Sequence, residues 1–241
     1  MAVEAMLPLR VENLAFALTG HWLLQKISFQ IEAGGPTVIV GPNGAGKTLL
    51  LKLCHGLLQP TSGTIRWAAA TPLATRRRQA MMFQRPVLLS RTVAENIEYV
   101  LRLQHYPTHA LAPRVRDLLA QTGLEALATR AARVLSGGEQ QRLALARVWA
   151  LAPEVMLLDE PTANLDPSAT RAIELLIQEI AARGTKIILS THDLAQAQRL
   201  ASDVVFLHRG CLIERNTADA FFSTPATVDA AAFIRGELLW A

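Results

Sequence analysis

Apolar and polar residues alternate along Leu9–Leu18 (LRVENLAFAL) and again along residues 27–32 (ISFQIE), the period-two pattern of half-buried strands. Residues 36–41 (PTVIVG) form a continuous apolar run suited to a strand covered on both faces, and residues 63–67 (GTIRW) follow a Thr-Ser-Gly turn. One helix interrupts these strands: KTLLLKLCHG, from Lys47 to its stop at Gly56. From about Arg85 to Ala152 the period changes. TVAENIEYVLRL and VRDLLAQTGL place apolar residues three and four apart, with Pro107 and Pro113 expected to break the path between them. Then come a buried strand (VMLLD), a helix (PSATRAIELLIQEIAARG) whose Ile173, Leu176, Ile177 and Ile180 share a face, and a second buried strand (TKIILST). A hairpin, VVFLHRGCLIE, and a helical tail from about Asp219 complete the pattern. Strands alternating with helices imply a parallel sheet, so the expected fold class is α/β. An antiparallel β portion precedes that sheet, and a helical subdomain is inserted at about residues 85–152.

Length and composition fit one unit spanning 1–241. Of the 241 residues 51% are hydrophobic, enough for one sizeable core. The longest run without a charged side chain is residues 33–46, shorter than the roughly 18 apolar residues of a membrane span. Glu4 and a short apolar stretch speak against a secretory signal, so a cytoplasmic address is expected. The net charge is +4, but the basic residues are scattered apart from Arg76–Arg78, read as a solvated loop. No basic stripe with interleaved aromatics suggests direct nucleic-acid binding. Cys54 and Cys211 have no ligand spacing and read as ordinary buried residues.

The chemistry concentrates in a few short stretches. GPNGAGKT comprises Gly41, Pro42, Asn43, Gly44, Ala45, Gly46, Lys47 and Thr48, and matches G-x-x-x-x-G-K-[ST] between a strand and a helix. Its glycines let successive N–H groups converge on a phosphate, and the helix that follows adds the positive end of its dipole. Lys47 is placed to reach the β and γ phosphates, and the Thr48 hydroxyl to ligand Mg²⁺. The apolar strand 155–159 ends in Asp159 and Glu160, and adjacent carboxylates at a strand end call for a cation or a reacting group. Asp159 suits the metal and Glu160 suits a general base acting on water. Gln84 follows another apolar strand, where a neutral amide approaches metal or water without cancelling charge, and His192 follows a third. In LSGGEQQR, residues Ser136, Gly137 and Gly138 precede a further helix, EQQRLALARVWAL, that begins at Glu139, so a hydroxyl, unobstructed amides and a helix N-terminus face whatever lies beyond it.

Taken in order, the loop Gly41–Thr48, Gln84, LSGGEQQR, Asp159–Glu160, the stretch NLD (Asn164–Asp166) and His192 resemble the nucleotide-binding subunit of an ABC transporter over nearly the whole chain. The resemblance implies a P-loop cassette: a RecA-like parallel core, an antiparallel β subdomain and an inserted α-helical subdomain. It implies ATP and Mg²⁺ as ligands, with metal contacts at Thr48, Gln84 and Asp159. It also implies a head-to-tail dimer in which Ser136–Glu139 of one subunit close over the ATP held by the other, with Asp166 communicating between the sites. Catalytic roles fall on Lys47, Gln84, Glu160 and His192. The expected partners are a paired cassette, separate permease chains and an extracytoplasmic binding protein, with the subunit peripheral on the inner face of the membrane. One position departs from the pattern. Leu18 stands where relatives stack an aromatic ring on adenine; the alternatives are that Phe16 or Trp22 substitutes or that an aliphatic face packs the base. The stretch MFQRPVLLSRTVAENIEYVLRL is similar to the tungstate and phosphate type of oxyanion importer. The competing class, a soluble ATPase acting on nucleic acid or ribosomes, usually carries two cassettes or long coiled-coil insertions, and this chain has neither.

Overall fold

The computed structural model describes residues 5–68 and 78–237. Strands β1 (Leu9–Leu18), β2 (His21–Ile31) and β4 (Ser62–Trp67) form an antiparallel sheet in the order β2-β1-β4. A six-stranded sheet has the order β5-β6-β7-β3-β8-β9. It is made of β3 (Thr37–Val40), β5 (Gln79–Met82), β6 (Val155–Asp159), β7 (Lys186–Thr191), β8 (Asp203–His208) and β9 (Cys211–Thr217). Its neighbours run parallel except for the β8–β9 hairpin.

Strand alternation explains the layering. Ile39, Val155, Leu157, Ile188 and Val205 point to one face, where they meet helix α1 (Lys47–His55) through Leu50, Leu51 and Leu53, and beyond it Leu9, Leu14 and Ile27 of the antiparallel sheet. Their neighbours Val38, Val40, Met156, Leu158, Ile187 and Phe206 point to the other face. There they join helices α2 (Val93–Leu103), α3 (Thr108–Gln121), α4 (Gly137–Ala150) and α5 (Pro167–Ala182) in one continuous core. Period two in the strands thus feeds two cores, with α1 clasped between two sheets.

Pro113 does not break the path as its position suggests. Helix α3 runs through it, from Thr108 to Gln121. A proline inside a helix costs about 3 kcal/mol, but burial of Leu111, Val115, Leu118 and Leu119, each worth about 1.5–3 kcal/mol, outweighs it. The tail is two short helices, α7 (Ala218–Ser223) and α8 (Val228–Ile234), preceded by α6 (Leu194–Leu200) between β7 and β8. Of the basic triplet, Arg76 and Arg77 lie outside the described residues. Arg78 is mostly buried and pairs with Glu154, so it is not a solvated loop residue. Cys54 is buried, its thiol pushed up to about 12 by desolvation, and Cys211 is half-buried. No helix of the described residues is long and apolar enough to cross a membrane.

Candidate active site

The parallel register puts every predicted catalytic element at one edge of the sheet. Val40 pairs with Thr191, Asp159 with Ser190, and Met82 with Leu158, so the chain leaves β3, β5, β6 and β7 side by side at their carboxyl ends. The segments that follow carry Gly41, Gln84, Glu160 and His192. Ligands of open α/β sheets sit at this edge. Asn43–Thr48, Gln84, Glu160 and His192 line one cavity of about 550 Å³ there.

The loop Gly41–Gly46 wraps tightly because glycine lets it. Gly46 has φ 101°, and a Cβ there would stand 2.4 Å from Leu24 Cδ2; a Cβ on Gly41, φ 152°, would stand 2.1 Å from the Leu207 carbonyl oxygen. Helix α1 then starts at Lys47 with no capping side chain and no acid in its first turn. Helices α2, α4, α5 and α6 all have side-chain caps, from Thr92, Ser136, Asp166 and Asp193. The first N–H groups of α1 therefore open on the cavity with the positive dipole end behind them, which suits a polyanion.

Lys47 is buried. Its Nζ donates to the carbonyls of Gly41 (2.8 Å) and Pro42 (3.2 Å) and stands 3.3 Å from Glu160 Oε1. Glu160 Oε2 accepts from Gln84 Nε2 at 3.4 Å and lies 3.1 Å from His192 Nδ1. One carboxylate thus gathers Lys47, Gln84 and His192. The backbone holding it is strained: Glu160 has φ 43°, a left-handed conformation costing about 1–3 kcal/mol in a non-glycine residue. Its N–H donates to both the carbonyl and the hydroxyl of Ser190, each at 3.1 Å. Asp159 is buried beneath, its Oδ1 accepting from Thr48 Oγ1 (2.9 Å) and Ser190 Oγ (2.8 Å). Sequence reasoning passed over Ser190, although a serine inside the apolar run KIILST was its signal.

A second cavity, about 390 Å³, is lined by Ser136, Gly137, Gly138, Glu139 and Asp166, and Asn164 lines both cavities. The Ser136 hydroxyl and the Glu139 carboxylate form a reciprocal cap on α4. Hydrogen bonds from the Ser136 N–H and side chain hold the Glu139 carboxyl below the usual range. Asp166 caps α5, and the N–H of Ala169 with the Ser168 hydroxyl holds its carboxyl low as well. A Cβ on Gly138 would stand 2.8 Å from Ala169 Cβ, so these two helix starts touch.

Leu18 is not among the residues lining either cavity. It sits at the tip of the β1–β2 hairpin, 58% exposed, with Trp22 beside it at 53%. Phe16 is packed in the core between the sheets and presents no free ring.

Residues 24–163 match the protein family described as "ABC transporter". The ATP-binding protein TupC of a tungstate uptake system of Peptoclostridium acidaminophilum is 39% identical over 213 residues, covering 88% of this chain and 98% of that protein. The phosphate import ATP-binding protein PstB 2 of Natronomonas pharaonis is 35% identical over 249 residues, covering 96% and 88%. Among solved structures, CbiO1 of Clostridium perfringens, part of the ABC transporter complex CbiONQ, superposes with a TM-score of 0.82 over 95% of both chains at 28% identity. The chain belongs to the ABC transporter family. Within it, the chain is an ATP-binding subunit, an enzyme that hydrolyses ATP to power transport.

Proposed function

We propose that two copies of this cassette, or one copy and a related one, hydrolyse ATP head to tail beneath a separate membrane permease and drive import of an oxyanion. The whole chain acts as one ATPase unit whose residues 85–152 are its helical insertion, peripheral on the cytoplasmic face of the membrane. The observation that carries this reading is the pair of cavities. Lys47 and Glu160 face one, while Ser136–Glu139 face the other. A second copy supplies the glycine-rich helix start that each ATP needs over its γ-phosphate.

In this reading the N–H groups of Gly44–Thr48 and Lys47 Nζ bind the β and γ phosphates. Glu160 takes the proton of a water whose oxygen attacks the γ-phosphorus. The bond to the bridging oxygen breaks, and ADP and phosphate leave. His192, beside Glu160, holds the γ-phosphate as its charge redistributes, and Gln84 reports on it to the permease through the loop that follows β5. Thr48, Asp159 and Gln84 offer hard oxygens that fit Mg²⁺, which binds through few protein ligands and keeps waters. When held by these residues, such an ion would supply charge neutralisation at the phosphates. Asp166 links the sites from its place at the start of α5.

The oxyanion class rests on relatives named for tungstate and phosphate, both tetrahedral oxyanions. A binding protein outside the membrane would select the cargo. The test is a pull-down with tagged Glu160→Gln protein, ATP and Mg²⁺ from detergent-solubilised native membranes. A polytopic membrane protein is expected in the eluate. Ribosomes or DNA-repair proteins without it would overturn the transporter reading.

The hairpin tip carries its own prediction. With Phe16 buried, adenine meets Leu18 and Trp22. Leu18→Tyr is expected to tighten ATP binding about five-fold, since an aromatic stacking partner adds on the order of 1 kcal/mol. Trp22→Ala is expected to weaken it by a similar factor. Titration of ATP beside GTP checks both, and unchanged affinities would place the base elsewhere.

A further inference from the structure

Glu174 and Gln196 are two buried polar residues near the site that take no part in the roles proposed above, Glu174 at 1% exposure and Gln196 at 0%. Glu174 lies on the apolar face of α5 and receives Arg199 on both oxygens, at 2.9 and 2.6 Å, with Arg171 at 3.7 Å. A carboxylate only accepts, so it turns the amide nitrogen of Gln196 toward itself, 3.4 Å from Glu174 Oε1. The same Nε2 donates to Thr162 Oγ1 at 2.7 Å.

That second bond closes a ring around the reacting centre. Thr162 is two residues beyond Glu160, across Pro161, whose φ is fixed by its ring, and the Ala163 N–H donates back to the Glu160 carbonyl at 3.1 Å. Gln196 is four residues beyond His192. Between them Asp193 Oδ1 accepts from the N–H groups of Ala195 (2.8 Å) and Gln196 (3.1 Å). Glu160 and His192 meet at 3.1 Å on one side of the ring, and Thr162 and Gln196 meet on the other. Between these contacts run two short, braced stretches of backbone. We infer that Gln196, oriented by Glu174, is a positioning residue: through Thr162 it fixes the spacing of the carboxylate and imidazole that act on ATP.

Packing alone does not call for this amide. Gln196 Oε1 is buried without a partner among the described residues, and an apolar side chain of the same length would fill the space with no unpaired acceptor. The donor on the other side of the amide is what an apolar replacement loses.

This inference rests on the roles proposed above for Glu160 and His192, and the experiment separates the two. The full chain is compared as wild type, Thr162→Val, Gln196→Met, the double variant and Thr162→Ser, reading kcat, KM for ATP and thermal midpoint. Thr162→Val and Gln196→Met are each expected to lower kcat on the order of ten- to a hundred-fold, as small misplacements of reacting groups do, with KM within about two-fold. The double variant is expected to lose no more than either single one, and Thr162→Ser to retain the wild-type rate. Thr162→Val is nearly isosteric on a half-buried turn, so it carries the test if Gln196→Met fails to fold. Wild-type kcat in Thr162→Val, or losses that multiply in the double variant, would overturn the inference. If Glu160→Gln, assayed alongside, hydrolyses ATP at the wild-type rate, the base assignment fails instead.

Discussion

Lys47→Ala is expected to weaken ATP binding by a factor of about one hundred or more. Lys47 is the cation at the uncapped start of α1, already aimed by the carbonyls of Gly41 and Pro42. Hydrogen bonds to charged groups contribute about 1.5–3 kcal/mol each, and two are lost when Nζ no longer reaches the β and γ phosphates. The variant also leaves Glu160, whose carboxylate is mostly buried, without its lysine, so a negative charge then faces the incoming triphosphate. The N–H groups of the loop remain, which is why weak binding persists. Lys47→Arg is expected to restore little, because a planar guanidinium does not reproduce the point charge held between two carbonyls. Titration with a fluorescent ATP analogue at fixed salt checks both variants. A dissociation constant within three-fold of wild type in Lys47→Ala would remove Lys47 from the binding site.

How far these residues were legible in the sequence follows from the range of the forces that place them. Strands β3, β6 and β7 read directly as apolar runs because both their faces are covered. The loop before α1 read just as clearly, since a fixed spacing of glycines, Lys47 and Thr48 is dictated by backbone geometry within eight residues. The elements that sequence reasoning misplaced answer to tertiary burial. Helix α3 passes through Pro113 because four apolar residues on one face outweigh one broken backbone bond. Long-range polar partners were not legible. Glu174 looks like an ordinary helix acid until Arg199 is folded against it, although its place among Ile173, Leu176 and Ile177 marks the apolar face. Ser190 is the same case in a strand: its hydroxyl has work only once Asp159 and Glu160 pair beside it. Phe16 read as one candidate for a stacking ring, and its exclusion needed the core between the sheets.

Glu160→Gln separates the two jobs of one carboxylate. In its proposed role as the base it would accept a proton from water, and an amide cannot; hydrolysis is expected to fall about 10²- to 10⁴-fold, the usual contribution of a positioned general base. The substitution keeps shape and size, so the left-handed turn at residue 160 and its bonds to Ser190 remain. As the counter-ion of Lys47, at 3.3 Å, the carboxylate also competes with phosphate for the same cation. Removing that charge favours a bound anion by on the order of 1 kcal/mol in a partly solvated site, about five-fold in affinity. ADP reads this second effect cleanly, because without a γ-phosphate it has nothing for Ser136–Glu139 of a second copy to close over. The variant is therefore expected to bind ADP several-fold more tightly than wild type and, with ATP and Mg²⁺, to elute as a stable dimer on size exclusion. Tighter ADP binding without a dimer would keep the Lys47–Glu160 competition and remove the composite site. Hydrolysis at the wild-type rate would move the base to another residue, and His192, 3.1 Å from Glu160, is the nearest titratable group on the cavity wall.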